Sequence, residues 1–147
     1  MKNIAVRDLA YFTCRNGDLT IETFSNREEK GKLAHKYIQA KYGESSKAEV
    51  YIKSEIKVNN NEYLLHGYID GVLNENDEIF IEEIKSTNAD LEILDLDMHK
   101  EHIAQAKIYA FLYCLNNSMD EINVRLTYIN LGTYETKSFN QIYKLMS

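Results

Sequence analysis

The sequence predicts an α/β fold in which helices flank a central mixed β-sheet. Three strand patterns follow one another with only turn residues between them, which predicts an antiparallel meander. The clearest helical pattern of the chain then separates the third strand from the fourth. Because a helical connection lets the two strands that it joins run in parallel, the sheet is expected to be mixed. The 147 residues suffice for a sizeable core, and we expect a single domain over residues 1–147.

Apolar residues at helical spacing predict three helices. These helices cover residues 5–14, 26–42 and 99–116. Gly17 is expected to end the first helix, and Gly43 is expected to end the second. Ser25 and Glu28 have the spacing of a capping box, which indicates the start of the second helix.

Alternating apolar residues and turn residues predict five strands. These strands cover residues 49–58, 62–73, 78–86, 122–131 and 133–139. The first turn, 59–61, consists of asparagine alone, and the second, 74–77, is rich in Asn and Asp. The acidic stretch 88–98 is expected to be a loop or a short turn. The predicted order is therefore two helices, three strands, one helix and two strands.

The composition is that of a soluble globular protein, with 44% apolar and 27% charged residues, which excludes a largely disordered chain. No stretch reaches the length of uncharged apolar sequence that a membrane helix needs. Arg7 and Asp8 interrupt the apolar N-terminus, unlike a signal peptide. Two distant cysteines, Cys14 and Cys114, do not make a disulfide framework, a cysteine-based zinc site or an iron–sulfur cluster within this chain. We therefore expect a cytoplasmic protein.

Charge is unevenly distributed along the chain. The net charge of −6 argues against a protein that simply coats nucleic acid. Residues 27–58 carry eight Lys/Arg against five acids, whereas residues 70–101 carry eleven acids against two lysines. A basic region beside an acidic one suits a metal-dependent enzyme that acts on a polyanion. A solvated surface with unevenly placed charges gives the same pattern.

Asp70, Glu83 and Lys85 form the main candidate site. Glu83 and Lys85 lie two residues apart in a predicted strand, so they share one face, and Glu82 points to the other face. Two carboxylates and a carbonyl are hard oxygen ligands for Mg²⁺ or Mn²⁺, and a nearby ammonium can offset charge that develops during hydrolysis. A structural carboxylate–lysine pair at the end of the sheet is the alternative interpretation of the same residues.

Four more polar residues stand in predicted helices. His35 lies in the second helix, and Gln105 and Tyr109 are spaced i, i+4 on the third, where His102 shares their face. A single helical histidine is more often structural than a ligand. A half-buried, hydrogen-bonded helix surface accounts equally well for the row on the third helix.

Taken together, these segments resemble the RecB-like branch of the PD-(D/E)XK nuclease superfamily. The resemblance rests on four segments in the order Gly31…His35, Gly67-Tyr68-Ile69-Asp70, Glu83-Ile84-Lys85-Ser86 and Gln105-Ala106-Lys107-Ile108-Tyr109. Within that branch the chain is most similar to the nuclease-like N-terminal region of bacterial DinG-type helicases and to the nucleases of CRISPR adaptation. The resemblance implies a restriction-endonuclease-like core.

The resemblance also implies a role for each matched residue. It makes Asp70, Glu83, His35 and the Ile84 carbonyl ligands of Mg²⁺ or Mn²⁺. It makes Lys85 the catalytic lysine, acting with Asp70 and Glu83, and it places Gln105 and Tyr109 in a DNA-binding groove. The four cysteines that hold an iron–sulfur cluster in the CRISPR nucleases have no counterpart, so no such cluster is expected. No phosphate-loop motif of a helicase is present in the sequence.

The resemblance implies a metal-dependent deoxyribonuclease. We expect it to hydrolyse phosphodiester bonds of single-stranded or end-containing DNA, in repair, recombination, or mobile-element or defence processing. DNA is the expected partner, a helicase in cis or in trans is a further one, and no membrane is expected. The alternative is an inactive nucleic-acid-binding or protein-interaction module that keeps the nuclease fold. A site-specific or structure-specific endonuclease of the same superfamily would differ only in its substrate.

Overall fold

A computed structural model describes residues 1–14 and 25–145 of the chain. Its helices are α1 (Val6–Thr13), α2 (Ser25–Gln39) and α3 (Lys100–Asn117), and a short 3₁₀ turn covers Leu91–Ile93. Its strands are β1 (Lys2–Ala5), β2 (Lys47–Val58), β3 (Asn61–Glu75), β4 (Glu78–Thr87), β5 (Glu121–Asn130) and β6 (Thr136–Lys144). None of the helices among the described residues has the length and apolarity that crossing a bilayer requires.

Among the described residues, six strands form one mixed sheet in which β1, β3, β4, β5 and β6 are successive neighbours. Strands β2, β3 and β4 form the antiparallel meander. Helix α3 connects β4 to β5, which run in parallel, and β6 returns antiparallel to β5. The predicted mixed α/β fold, with its meander and its helical crossover, is therefore confirmed.

Strand β3 holds the centre of the sheet, and its partners change along its length. It pairs with β2 along one edge over most of its residues. Along the other edge it pairs first with β1, at residues 63–66, and later with β4, at residues 71–75. Between these two stretches, residues 67–70 face the point where β3 and β4 separate. We call this separation, bounded by Asp70 on β3 and Glu83 on β4, the strand fork.

The two faces of the sheet are covered by different helices. Helices α1 and α3 pack on one face, where Ala106 and Ala110 of α3 join a core with Ile69 and Ile81. Helix α2 packs on the other face through Ala34, which contacts Ile84 and Ile129. The strand fork therefore has a helix on each side.

The hairpin turns follow the predicted chemistry. Asn59 and Asn60 between β2 and β3 have φ angles of 50° and 69°, and Asn76 and Asp77 between β3 and β4 have φ angles of 53° and 66°. Asn and Asp tolerate the left-handed region better than other residues with a side chain, and two-residue turns of this kind match the twist of a hairpin.

Three features of the fold differ from the predictions. The last strand was predicted over 133–139 but covers Thr136–Lys144, because the amide of Tyr134 bonds back to the Asn130 carbonyl and closes a turn after β5. Strand β1 was not predicted, because it has only four residues and takes its partner from residues 63–66, far along the chain. Helix α2 ends at Gln39 and not at Gly43, since the amides of Lys41 and Tyr42 bond three residues back, at Ile38 and Gln39. The predicted stop at Gly17 lies outside the described residues, as do the side chains of the predicted Ser25–Glu28 capping box.

A glycine beside the strand fork leaves room for a tyrosine. A Cβ atom on Gly71 would lie 2.7 Å from Cζ of Tyr42 and would overlap its hydroxyl oxygen. We expect Gly71→Ala to lower the free energy of unfolding by about 1–3 kcal/mol, because Tyr42 must leave its place. Gly43→Ala is the matched control, since a Cβ there meets nothing within 4 Å. Urea unfolding of both variants tests this, and equal stabilities would contradict it.

Candidate active site

Asp70 occupies the β3 side of the strand fork. Its Oδ2 accepts a hydrogen bond of 2.7 Å from the backbone N–H of Ile84 on β4. A side chain thus takes the N–H at the point where the regular pairing of β3 with β4, which ends at Gly71 and Glu82, has stopped. The Gln39 side chain, at the end of α2, donates to the Asp70 carbonyl at 2.9 Å. Asp70 is therefore held through both its side chain and its backbone.

Glu83 and Lys85 extend from β4 toward α3. Lys85 Nζ lies 3.4 Å from Glu83 Oε1 and donates to Gln105 Oε1 at 2.9 Å. Glu83 Oε2 is buried and has no hydrogen-bond partner among the residues that the structure describes. Strand alternation thus puts Glu83 and Lys85 on one face as predicted, and one carboxylate oxygen stays free for a ligand.

His35 approaches Asp70 from the helix on the opposite face. Its Nδ1 lies 3.7 Å from Asp70 Oδ1, which is too long for a hydrogen bond. The preceding residue, Ala34, is fully buried against Ile84 and so fixes the rotation of α2 about its axis. The structure therefore brings the predicted residues His35 and Asp70 together, although they lie in different elements.

Burial dominates the electrostatics of the two carboxyl groups. It raises the pKa of Asp70, against the opposing effects of His35, the Ile84 amide and Lys85. It raises the pKa of Glu83 well above the ordinary 4.5, and the charge of Asp70 raises it further while Lys85 lowers it. Without a cation, ionising both carboxyls of the strand fork is therefore unfavourable, and Lys85 offsets only part of this cost.

Gln105 and Tyr109 lie on the same face of α3, one turn apart, as predicted. Both are nearly buried, with exposed fractions of 5% and 3%. The Tyr109 hydroxyl lies directly over Gly67, where a side chain on β3 would collide with it. Burial is the main cause that raises the pKa of Tyr109. Both residues thus pack against the site, and their predicted contact with DNA stays a prediction.

A comparison with protein families identifies the fold. Residues 28–146, well over half of the chain, match the sequence profile of the PD-(D/E)XK nuclease superfamily. The chain belongs to the PD-(D/E)XK nuclease superfamily. The predicted resemblance is confirmed at this level, and its finer assignment to the RecB-like branch stays a prediction.

A solved structure supports the same fold. The protein SSO0001, known from its crystal structure, is similar to this PD-(D/E)XK chain, with a TM-score of 0.64 and 18% sequence identity. The similarity covers 99% of this chain and 69% of SSO0001. At this low identity the likeness concerns the fold alone. A comparison with curated proteins gives no match.

The donor set of this PD-(D/E)XK core suits a divalent metal, which nucleases of the superfamily use. Asp70 and Glu83 offer hard oxygen atoms, and His35 adds an imidazole nitrogen. Glu83 Oε2 accepts no hydrogen bond from an N–H or hydroxyl donor among the described residues, and the Glu83 carboxyl is close enough to Asp70 to share a proton with it. A cation bound between the two carboxyls would replace this costly buried contact. The residues present therefore fit the metal that the superfamily implies.

Glu82 belongs to a different environment from its neighbour Glu83. It accepts hydrogen bonds from the Tyr42 hydroxyl at 2.5 Å and from the Thr127 hydroxyl at 2.7 Å. These three residues line a pocket of about 620 Å³ on the α2 face, which also includes Arg125. Both carboxylate oxygens of Glu82 thus have partners, in contrast to those of Glu83.

A second group of metal-type side chains stands at the start of α3. His99, Glu101 and His102 place one ligand atom each within 4.8 Å of one another. Sequence reasoning placed His102 on the helix face of Gln105 but did not connect it with His99 and Glu101. The run His-Lys-Glu-His at 99–102 is the signal that could have found the group.

The buried Glu83 carboxyl predicts a pH dependence of the metal-free protein. A raised pKa means that the folded state keeps a proton that the unfolded chain releases. The free energy of unfolding should therefore fall as the pH rises above the ordinary 4.5 and through the raised pKa. Glu83→Gln should remove part of this fall and stabilise the protein at neutral pH by about 1–3 kcal/mol.

Urea unfolding in a chelator between about pH 5 and pH 8 measures this dependence. Glu62→Gln, at an exposed position of β3, is the control and should keep the wild-type profile. A Glu83→Gln profile that is parallel to the wild-type profile would show that Glu83 ionises as easily in the fold as in the unfolded chain.

Proposed function

We propose that this PD-(D/E)XK protein is a metal-dependent deoxyribonuclease that hydrolyses phosphodiester bonds. The pairing of Asp70 and Glu83 in the strand fork carries the proposal. Two buried carboxyls with raised pKa values, one of them with an oxygen that accepts no hydrogen bond from the described residues, lower the stability of the fold. A purely structural role therefore does not explain them. The same two carboxyls are suitable ligands for a divalent cation. Superfamily membership supports the same chemistry.

In this proposal Asp70, Glu83, His35 and the Ile84 carbonyl hold Mg²⁺ or Mn²⁺. When bound, such an ion polarises the phosphodiester and lowers the pKa of a water molecule. The chain itself supplies Lys85, whose ammonium donates to oxygens that gain charge during hydrolysis. Gln105 holds that ammonium in place through the 2.9 Å hydrogen bond, which makes Gln105 a positioning residue.

Positively charged side chains near the site support the proposal of a polyanionic substrate. Lys30, Lys32 and Lys36 are exposed on α2, the helix that also carries His35. Their positive charge can attract phosphate groups toward the strand fork despite the net charge of −6. We extend the proposal to single-stranded or end-containing DNA, to action beside a helicase in cis or in trans, and to a RecB-like role in the cytoplasm in repair, recombination or defence.

A cleavage assay with metal ions tests the proposal directly. Labelled single-stranded and double-stranded DNA are incubated with chelator-treated protein, with added Mg²⁺ or Mn²⁺, or with excess EDTA. We expect cleavage that depends on the added ion, and stronger cleavage with Mn²⁺ because an imidazole ligand suits the softer ion. Cleavage that survives EDTA would contradict the metal mechanism. Metal binding without cleavage of any DNA would favour the inactive-module alternative.

The adjacent carboxylates Glu82 and Glu83 provide a matched pair of variants. Glu83→Gln keeps the size of the side chain but removes a charge in the strand fork, so it should lower the cleavage rate by at least about 100-fold. Glu82→Gln changes the other face of the same strand and should stay within a few-fold of wild type. Rates are compared per folded molecule, because Glu82→Gln also loses a hydrogen-bond acceptor. The reverse order of effects would overturn the proposed ligand set.

A further inference from the structure

We propose a second metal site, for Zn²⁺ or a similar transition-metal ion, formed by His99, Glu101 and His102 at the start of α3. It uses none of the carboxylates of the strand fork, and its existence does not depend on the proposed nuclease activity. Two imidazoles and a carboxylate are the ligand types that borderline ions such as Zn²⁺ prefer.

The distances within this group fit ligands around one ion. His99 Nδ1 lies 3.4 Å and His102 Nε2 lies 3.7 Å from the same oxygen, Glu101 Oε1. Both distances are within ion-pair range but too long for good hydrogen bonds, so the three ligand atoms are near one another without being bonded directly. Ligands at Zn²⁺ bond lengths in a tetrahedral site are about 3.3 Å apart. Small side-chain rotations would therefore place all three atoms around one ion.

The second ring nitrogen of His102 is already engaged. His102 Nδ1 lies 2.8 Å from the hydroxyl oxygen of Tyr128, a residue that is fully buried on β5. This hydrogen bond sets the orientation of the ring and directs Nε2 toward Glu101. Metal-binding histidines characteristically make such a bond through the nitrogen that does not bind the ion. Tyr128 thus acts as an orienting partner outside the ligand set.

His99 occupies the N-cap position of α3, which residues that cap the helix usually occupy. Ser, Thr, Asp or Asn at this position would accept a hydrogen bond from the first turn, but the His99 side chain makes no such bond. Its ring instead stacks on the His102 ring, with centroids 4.8 Å apart and planes inclined by 24°. The side chain of His99 therefore makes no helix cap, and its Nδ1 instead lies near the same Glu101 oxygen that His102 Nε2 approaches.

The site is open to solvent on one side. The side chains of His99, Glu101 and His102 are 42%, 23% and 16% exposed, so His102, which Tyr128 orients, is the least exposed and the other two leave a path for an ion. The positive end of the α3 dipole opposes a cation here, so binding must come from the three direct ligands. A water molecule can complete the coordination, as in other zinc sites with three protein ligands.

Titration of chelator-treated protein with Co²⁺, followed by visible absorption, and displacement of Co²⁺ by Zn²⁺ test the proposal. The measurements are made in an Asp70→Asn/Glu83→Gln background, so that the strand fork does not contribute. We expect one ion per chain with micromolar affinity or better. His99→Ala or Glu101→Gln should weaken binding by at least about 100-fold, and Tyr128→Phe by about 10-fold.

His66→Ala is the matched control, because His66 lies in β3, in register with Ala5 and Lys53, outside the group. It should bind the ion as the background protein does. His99 is half-exposed, so His99→Ala is expected to fold even if variants of the more buried His102 do not. The proposal is overturned if the background protein binds neither ion, or if His99→Ala and Glu101→Gln bind as tightly as His66→Ala.

Discussion

The hydrogen bond from the Ile84 amide to Asp70 Oδ2 is the contact on which the site geometry depends. It allows β3 and β4 to separate without leaving a buried N–H unpaired. The same residue, Ile84, packs its side chain against Ala34 and so fixes the helix that carries His35. One residue of β4 thus connects the central strands to α2, and it stands between Glu83 and Lys85 in the sequence.

The buried carboxyls of the strand fork lower the stability of the folded protein. Desolvation raises the pKa of both Asp70 and Glu83, and Lys85 offsets only part of the cost. The surrounding structure is well packed, with Ile69, Ile81 and Ile84 fully buried, so the rigid core tolerates two carboxyls that are costly to ionise. A bound divalent cation would favour the ionised form of both carboxyls, which is the physical link between the fold and the proposed chemistry.

Strand alternation divides the chemistry of the sheet between its two faces. Glu83 and Lys85 point toward α3 and meet Gln105, whereas Glu82 points toward α2 and is satisfied by Tyr42 and Thr127. The two neighbouring glutamates therefore have opposite hydrogen-bonding states. The difference comes from the backbone alone, because the two side chains are identical.

The sequence by itself determined the periodic features: the extent of β4 and α3, the Asn-rich turns and the shared face of Glu83 and Lys85. These depend on local spacing, which the chain carries wherever it folds. Only the tertiary structure decided that β1 pairs with β3, that Tyr42 covers Gly71 and that His99 and Glu101 converge with a His102 oriented by Tyr128. Each of these features depends on contacts between residues distant in the chain, or on side-chain orientations that packing imposes. The spacing of residues along the sequence specifies neither.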